Sequence, residues 1–269
     1  MATTAGRLAD RRHHRPRPRT GRYGDVTPHA EFGCDVWWGS TDLLRPHHLD
    51  LLDETERARY AGYRRGDDRD RFVLGVVLLR TAAAAVLDAT PREVRIDRAC
   101  RQCGQPHGKP RIPGYRLHVS VSHSSRVAAV VVTRVGPVGI DVERVTSIEY
   151  QRMLRYICPD REARWVHSTE DFFRCWTRKE SVVKATGDGL AALRAVTLTP
   201  PDAPPRLLAY AGRPRIAATI TDLTPPAGYR AALTVLTDRP LPVRERLATD
   251  LVASSDASAR SSAYEGRQP

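Results

Sequence analysis

In the segment VGIDVE two carboxylates, Asp141 and Glu143, stand two residues apart on a valine-rich run that reads as a strand. A strand's period of two puts both on one face, and two carboxylates aimed into one space repel unless a cation lies between them. Alone, such a pair is most often a solvated face or the cap of a following helix. A third acid shifts that balance. In WTRKESVVK, Trp176, Glu180 and Lys184 recur every four residues, so one helix face carries an indole, a carboxylate and an ammonium in a row. The bland alternative is a surface ion pair worth a few tenths of a kcal/mol, with the tryptophan in a core. Asp141, Glu143 and Glu180 together have the composition of a magnesium site, in which a few carboxylates are completed by waters and substrate phosphate oxygens. Lys184 then stands beside the phosphates.

The run VSVSHSS places Ser122, His123 and Ser124 at the end of a strand, where hydroxyls and an imidazole can donate to phosphate oxygens. A serine next to a histidine also suggests a hydrolase nucleophile and base. Neighbours on a strand point to opposite faces, however, so a direct Ser122–His123 proton relay is disfavoured and phosphate contact is the better use. Lysine usage singles out the same region. Of 43 lysines and arginines only three are lysine, and Lys109, Lys179 and Lys184 fall within two short segments, HGKPRI and WTRKESVVKATGDGL. A coding preference for arginine explains the ratio but not the clustering, and a lysine offers a compact point charge where arginine offers a planar fork. Just upstream, in CRQCGQPHGKP, Cys100 and Cys103 have a zinc-ligand spacing and His107 follows. No second Cys-x2-Cys or His-x3-His appears downstream to complete a structural zinc, so the pair reads as two free thiols in a surface loop.

The 269 residues carry a formal charge of +12, of which seven arginines against one aspartate put +6 in the first 22 residues. The last 25 residues carry −1, leaving +7 for the middle, enough to favour phosphate-rich ligands or acidic protein partners. Nothing in it reads a nucleic-acid groove, so a nucleic-acid partner is not expected. The longest apolar stretch, Val73 to Leu87, is interrupted by Arg80 and is shorter than the roughly 20 residues that cross a bilayer. The arginine- and proline-rich start lacks the apolar region of a secretory signal. Five unevenly spaced cysteines suit a reducing compartment, and a cytoplasmic protein without membrane contact is expected.

These residues need a frame. Residues 1–30 and 245–269 are poor in core-forming pattern and are expected to be disordered tails. Between them, Cys34 to Trp38 reads as a strand, Pro46 opens a helix to about Tyr63, and Asp67 caps a long helix through Leu87. A loop rich in glycine and proline, Arg98 to Gly114, precedes three strands, RLHVSVS, RVAAVVVT and VGIDVE. A helical stretch from Ser147 to Thr186 breaks near Pro159 and ends at Gly187 and Gly189. Short strands, AVTL, RLLAY, RIAATIT and YRAALTVL, complete the chain. The succession predicts an α+β protein of two similar halves, 31–137 and 138–244.

The segments HGKP, VSVSHS, VGIDVE and WTRKESVVKATGDGL, in that order and at these intervals, resemble the large, two-half 4′-phosphopantetheinyl transferases of the Sfp type, over about Cys34 to Val235. The resemblance implies a monomeric, pseudodimeric fold and magnesium-dependent transfer of the phosphopantetheine arm of coenzyme A to a serine of an acyl or peptidyl carrier protein, releasing 3′,5′-ADP. Fatty acid, polyketide and nonribosomal peptide carriers, commonly acidic, are all compatible with it. By the same resemblance Asp141, Glu143 and Glu180 match the metal-binding acids, and Lys184 and His123 the pyrophosphate contacts. Gly108, Lys109 and Pro110 match the stretch beside the adenine nucleotide, and the resemblance puts the metal site at the interface of the halves; Ser122 is expected as a cofactor contact from its place in VSVSHSS. Arg71 matches a residue that holds the 3′-phosphate. Arg59 matches a second, whereas a further basic position of the family is occupied by Glu56, with Arg57 as a substitute. The family's general base is a glutamate after a short interhelical loop, for which Glu162 is the choice and Asp160 the rival, with a water at the metal site as a third source. A coenzyme A-binding module without turnover and a magnesium-dependent phosphodiesterase are the alternative readings.

Overall fold

The strand Val127–Thr133 is buried along its whole length, and its residues alternate between two apolar layers. Ala128, Val130 and Val132 face one layer, while Val127, Ala129 and Val131 face another. A strand covered on both faces needs the near-continuous apolar run that this segment has. The computed structural model describes residues 33–253 except Gln102 and Pro214. The expected disorder of 1–30, and of the chain beyond 253, lies outside the described residues.

In chain order the elements are β1 (Cys34–Ser40), α1 (Glu54–Gly62), α2 (Gly66–Leu87), β2 (His118–Ser124), β3 (Val127–Thr133), β4 (Val138–Arg144), α3 (Tyr150–Ile157), α4 (Asp160–Ala163), α5 (Thr169–Thr186), β5 (Val196–Leu198), β6 (Leu207–Tyr210), β7 (Thr219–Asp222), β8 (Tyr229–Val235) and β9 (Val243–Leu247). The protein is α+β. A four-stranded sheet has the order β2-β3-β1-β9, a three-stranded antiparallel sheet the order β4-β8-β7, and β5 pairs with β6. Helix α2 covers one face of the first sheet; its Leu74, Val77, Leu78 and Leu79 pack with Val119, Val130 and Val132. The other face meets the second sheet: Cys34, Val36, Trp38 and Val131 share a core with Ile140, Val142, Leu233 and Val235. This layer joins strands from before and after residue 137, while a separate cluster around Phe172, Val182 and Leu198 lies beneath α5.

Three expectations are corrected. The helix expected from Pro46 to Tyr63 is two pieces, a 3-10 turn over Pro46–Leu51 and then α1. Asp53 forces the break by capping α1: its carboxylate accepts from the Glu56 amide at 2.8 Å, and Glu56 reaches back to the Asp53 amide at 3.1 Å. Asp67 does not cap α2 but lies in its first turn, where a negative charge faces the helix's positive end. The supposed tail from 245 is ordered through 253. β9 lies parallel to β1 with Val243 opposite Cys34 and Leu247 opposite Trp38, and residues 249–253 are helical. Ala248, Leu251 and Val252 are buried in the core beneath α2. Backbone pairing and the Trp38 indole, which donates to Glu245 at 2.9 Å, hold a strand whose own side chains are mostly exposed.

Candidate active site

The second sheet and α5 could not approach closely if Gly139 were any other residue. A Cβ there would stand 2.0 Å from the Ser181 carbonyl oxygen and 2.4 Å from the Ala185 amide nitrogen, both backbone atoms of α5. The helix therefore rests directly on the β4 backbone, and Ser181 and Thr234 share a hydroxyl hydrogen bond of 2.7 Å beside the contact. Ser168 starts α5 by accepting from the Asp171 amide at 3.0 Å, and Gly187, at φ +82°, ends it. The face turned to β4 carries Trp176, Glu180 and Lys184, as their spacing requires. Trp176 is half-buried, its ring tilted against Phe172 with centroids 5.9 Å apart, and it lies near enough to Glu143 to favour the charged carboxylate slightly.

On the other side β2 meets β4 through side chains. Ser120, Ser122 and Ser124 alternate with Val119, Val121 and His123 and so share one face of β2. Ser120 accepts from the Ile140 amide at 3.2 Å. Ser122 donates to Asp141 Oδ1 at 2.8 Å, and Ser124 donates to Glu143 Oε2 at 2.7 Å. Lys184 Nζ completes the group, donating to Asp141 Oδ1 at 2.6 Å and to Ser122 Oγ at 2.9 Å. The hydroxyl of Ser122, expected as a direct phosphate contact, instead fixes the acid.

Ser122, Asp141, Glu143, Glu180 and Lys184 line a cleft of about 220 Å³ that also includes His123 of β2, Arg59 of α1 and Arg98 of the loop after α2. Burial pushes the Glu180 carboxyl up to about 7, and the charges of Asp141 and Glu143 add to the effect against the pull of Lys184. Glu143 is raised by burial first and by Asp141 second. Burial works against the charge of Lys184, yet Asp141, Glu180 and Glu143 together hold its ammonium above the ordinary range. His123 is held below the ordinary imidazole range by desolvation and by Lys184, Arg71 and Arg59, so it is neutral at physiological pH.

The three acids do not close into a tight cluster, because their oxygens are not all within 4.8 Å of one another. Asp141 is nonetheless buried with its second oxygen, Oδ2, lacking any hydrogen-bond partner. A buried carboxylate oxygen left alone is costly unless something positive comes to it. Oxygen donors of this kind, few in number and open to a cleft, fit magnesium, which takes one or two carboxylates and fills its remaining positions with water and phosphate.

Other expected residues are placed less centrally. Arg71 pairs with Asp68 on its own helix and acts on the cleft through its field at His123 rather than by lining it. Lys109 donates to the carbonyl of Ala185 at 2.7 Å, its ammonium pushed down to about 8 by burial. Neither it nor Pro110 is among the described residues that line the cleft. Gly108 is required there for a different reason, since a Cβ would meet the carbonyl oxygens of Ala99 and Arg98 at 2.8 and 2.9 Å. Glu56 is buried against Arg80 at 2.7 Å, so the acid at a position the resemblance makes basic serves the core. Arg98, which nothing in the sequence distinguished, lines the cleft beside Arg59, whereas the proposed substitute Arg57 is exposed and does not.

The choice of Glu162 as general base is corrected by its surroundings. Its side chain is 3 % exposed, with Oε2 bound by Lys179 at 2.7 Å and Oε1 by the Leu198 amide at 2.6 Å. One oxygen is held in a buried ion pair and the other by a backbone amide, away from the cleft, so neither can reach a substrate proton there. Lys179, one of the three clustered lysines, is the structural partner in that pair. Asp160 is exposed, paired with Arg194 at 3.4 Å, and also outside the cleft.

Comparison with known proteins meets the same segment. Residues 137–234, which hold Asp141, Glu143, Glu180 and Lys184, match the family model of the 4′-phosphopantetheinyl transferase superfamily. Among similar proteins, the 4′-phosphopantetheinyl transferase HetI of Nostoc sp. is 35 % identical over 55 % of this chain and 66 % of its own length. A putative 4′-phosphopantetheinyl transferase of Synechocystis sp. is 27 % identical over 58 % and 65 %, and the transferase Sfp of Bacillus subtilis 26 % over 53 % and 63 %. The chain thus spans just under two thirds of the length of these relatives. The segment that supplies the acids and the lysine converging on one cleft, residues 137–234, thus belongs to the 4′-phosphopantetheinyl transferase superfamily.

Proposed function

We propose that the protein transfers the 4′-phosphopantetheine arm of coenzyme A to a serine hydroxyl of an acyl or peptidyl carrier protein, with magnesium, releasing 3′,5′-ADP. One observation carries the reading: Asp141 is buried with one oxygen on Lys184 and Ser122 and the other unpartnered, in a cleft that also presents Glu143, Glu180, His123, Arg59 and Arg98. Asp141, Glu143 and Glu180 would hold the magnesium, which when bound supplies positive charge to the leaving diphosphate.

Lys184 is already fixed by two hydrogen bonds, so its ammonium can meet an equatorial phosphate oxygen with little reorganisation. His123 is neutral and donates one N–H without adding charge. Arg59 and Arg98 give the cleft a cationic end suited to a second phosphate of the nucleotide. With Glu162 committed elsewhere, the proton of the incoming serine goes to a carboxylate lining the cleft or to a water there. Most of the rate gain in such a site comes from positioning and electrostatics, as in phosphoryl transfer generally.

The cleft is built by α1, α2 and β2 on one side and by β4 and α5 on the other, all from one chain, which favours a monomer. The basic middle of the sequence favours acidic carriers through steering. Among the described residues no helix is long and apolar enough to cross a membrane. The test is mass spectrometry of an apo carrier protein incubated with this protein, magnesium and coenzyme A. A mass gain of one phosphopantetheine arm supports the reading. Coenzyme A bound without any gain on fatty acid, polyketide or peptide carriers would make the protein a binding module, and release of a nucleotide without modified carrier would make it a phosphodiesterase.

A further inference from the structure

The loop between α2 and β2 brings Cys100, Cys103 and His107 together, with one ligand atom of each lying within 4.8 Å of the others. Cys103 Sγ is 3.0 Å from His107 Nε2, and no disulfide joins the two cysteines. Tetrahedral zinc with sulfur and nitrogen ligands places its donor atoms about 3.3–3.8 Å apart, so the observed group needs only small side-chain rotations to close on an ion. From the geometry we infer that Cys100, Cys103 and His107 bind one zinc ion, and that this ion shapes a wall of the cationic end of the cleft.

The backbone prepares the group. The Gly104 amide donates to the Cys100 carbonyl at 2.9 Å, and the Cys100 amide donates to Gln105 at 2.9 Å, folding the two cysteines onto one side of a tight turn. Gly104 has φ +72°, a conformation that a side chain would strain. The His107 amide donates to the same Gln105 carbonyl at 2.8 Å, which returns the imidazole to the thiols. At the base of the loop Asp97 and Arg111 exchange two backbone hydrogen bonds of 2.9 Å. Donors held by a closed loop lose less entropy on binding than donors on a free strand.

Donor chemistry separates this site from the acids. Two thiolates and a neutral imidazole are soft to borderline ligands that select zinc, whereas magnesium prefers oxygen. Zinc displaces one proton from each thiol to solvent, and two thiolates then balance its charge. Cys103 and His107 are exposed, so the fourth position opens to water and the sequence need not supply a fourth ligand. The loop is also a wall: Gly104 and Pro106 line a recess of about 200 Å³ together with Arg59 and Arg98. Fixing the turn therefore fixes the segment from which Arg98 enters the cleft. The inference stands whatever reaction the cleft performs.

The test is cobalt titration of the reduced, metal-free full chain, followed by absorbance. One equivalent of cobalt is expected to give the visible bands of a tetrahedral ion with a thiolate-to-metal charge-transfer band; one equivalent of zinc should bleach both, and excess magnesium should not. Cys103→Ser should remove about half of the charge-transfer intensity and a Cys100→Ser/Cys103→Ser double variant all of it, and His107→Asn should weaken zinc binding on the order of a hundredfold or more, beyond the loss typical of outer-shell changes. Glu180→Gln should leave the cobalt spectrum unchanged. Zinc should also slow hydrogen exchange of residues 97–111. The inference is overturned if no thiolate charge-transfer band develops, if the band is undiminished in Cys103→Ser or survives in the double variant, if magnesium displaces the ion, or if Cys100 and Cys103 form a disulfide at a cytosolic glutathione poise.

Discussion

Gly139→Ala adds a single methyl at the one point where α5 lies on bare β4 backbone. The new carbon would begin 2.0 Å from the Ser181 oxygen and 2.4 Å from the Ala185 nitrogen, and neither atom can swing away as a side chain would. Relieving the clash to even a tight contact of 3.0 Å requires α5 to withdraw by about 1 Å. That motion acts on Lys184, three residues beyond Ser181, whose 2.6 Å bond to Asp141 would lengthen to about 3.6 Å and cease to be a hydrogen bond. Glu180 would retreat with it. Overpacking of this kind costs about 1–3 kcal/mol of stability, within the margin of a domain of ordinary stability, so the variant should fold. A 1 Å misplacement of catalytic groups costs on the order of a hundredfold in rate. The assay is arm transfer to a carrier protein, followed by mass spectrometry beside thermal unfolding, with Gly62→Ala as the control because a Cβ there meets nothing within 4 Å. A Gly139→Ala protein that transfers within threefold of wild type and melts at the same temperature would refute the reasoning.

Lys184→Arg keeps the charge but presents a fork that pairs with Asp141 or Glu180 rather than with a phosphate oxygen, and steady-state kinetics should show a loss on the order of a hundredfold, about 3 kcal/mol. Glu180→Gln should abolish transfer and yet raise the melting temperature of the magnesium-free protein at neutral pH, since it removes a buried acid crowded by two others; an unchanged or lower melting temperature would count against the crowding. Cys34 is fully buried and its thiol is pushed up to about 11 by burial, above its unfolded value of 9.0. A raised folded pKa means stability that is complete below pH 9 and lost as pH rises towards 11, in total about 2–3 kcal/mol. Urea unfolding across that range should show the decline, and Cys34→Ala should flatten it.

The acids and Lys184 were legible because their spacing and their chemistry agree. A period of two on β4 and of four on α5 puts each set on one face, and a site that needs them together leaves that trace in the sequence. The position of Glu162 leaves none: a carboxylate in a buried pair with Lys179 and one exposed as a base look alike in one dimension, and only the fold shows which is which. The lysine cluster had two causes. All three lysines meet α5, but Lys109 braces its last turn and Lys179 its interior, and only Lys184 reaches the cleft. Arg98 was invisible among forty arginines because its role depends on where a loop turns back. β9 escaped for a related reason, as its pairing is made by backbone and its side chains are mostly exposed.

The parallel return of β9 to β1 also constrains how the molecule is made. As the chain leaves the ribosome, β1, α2, β2 and β3 emerge first, but β1 then has an open edge and the layer beneath α2 lacks Ala248, Leu251 and Val252. Its opposite face, with Val36, Trp38 and Val131, waits for β4 and β8. The first half of the polypeptide is therefore an unfinished object for most of its synthesis, with a pairing edge and an apolar face both available to wrong partners. Completion comes only when residues up to about 252 are free, so maturation is a late, whole-chain event, and release stopped before Val243 should yield a sticky, chaperone-dependent product rather than a smaller working protein.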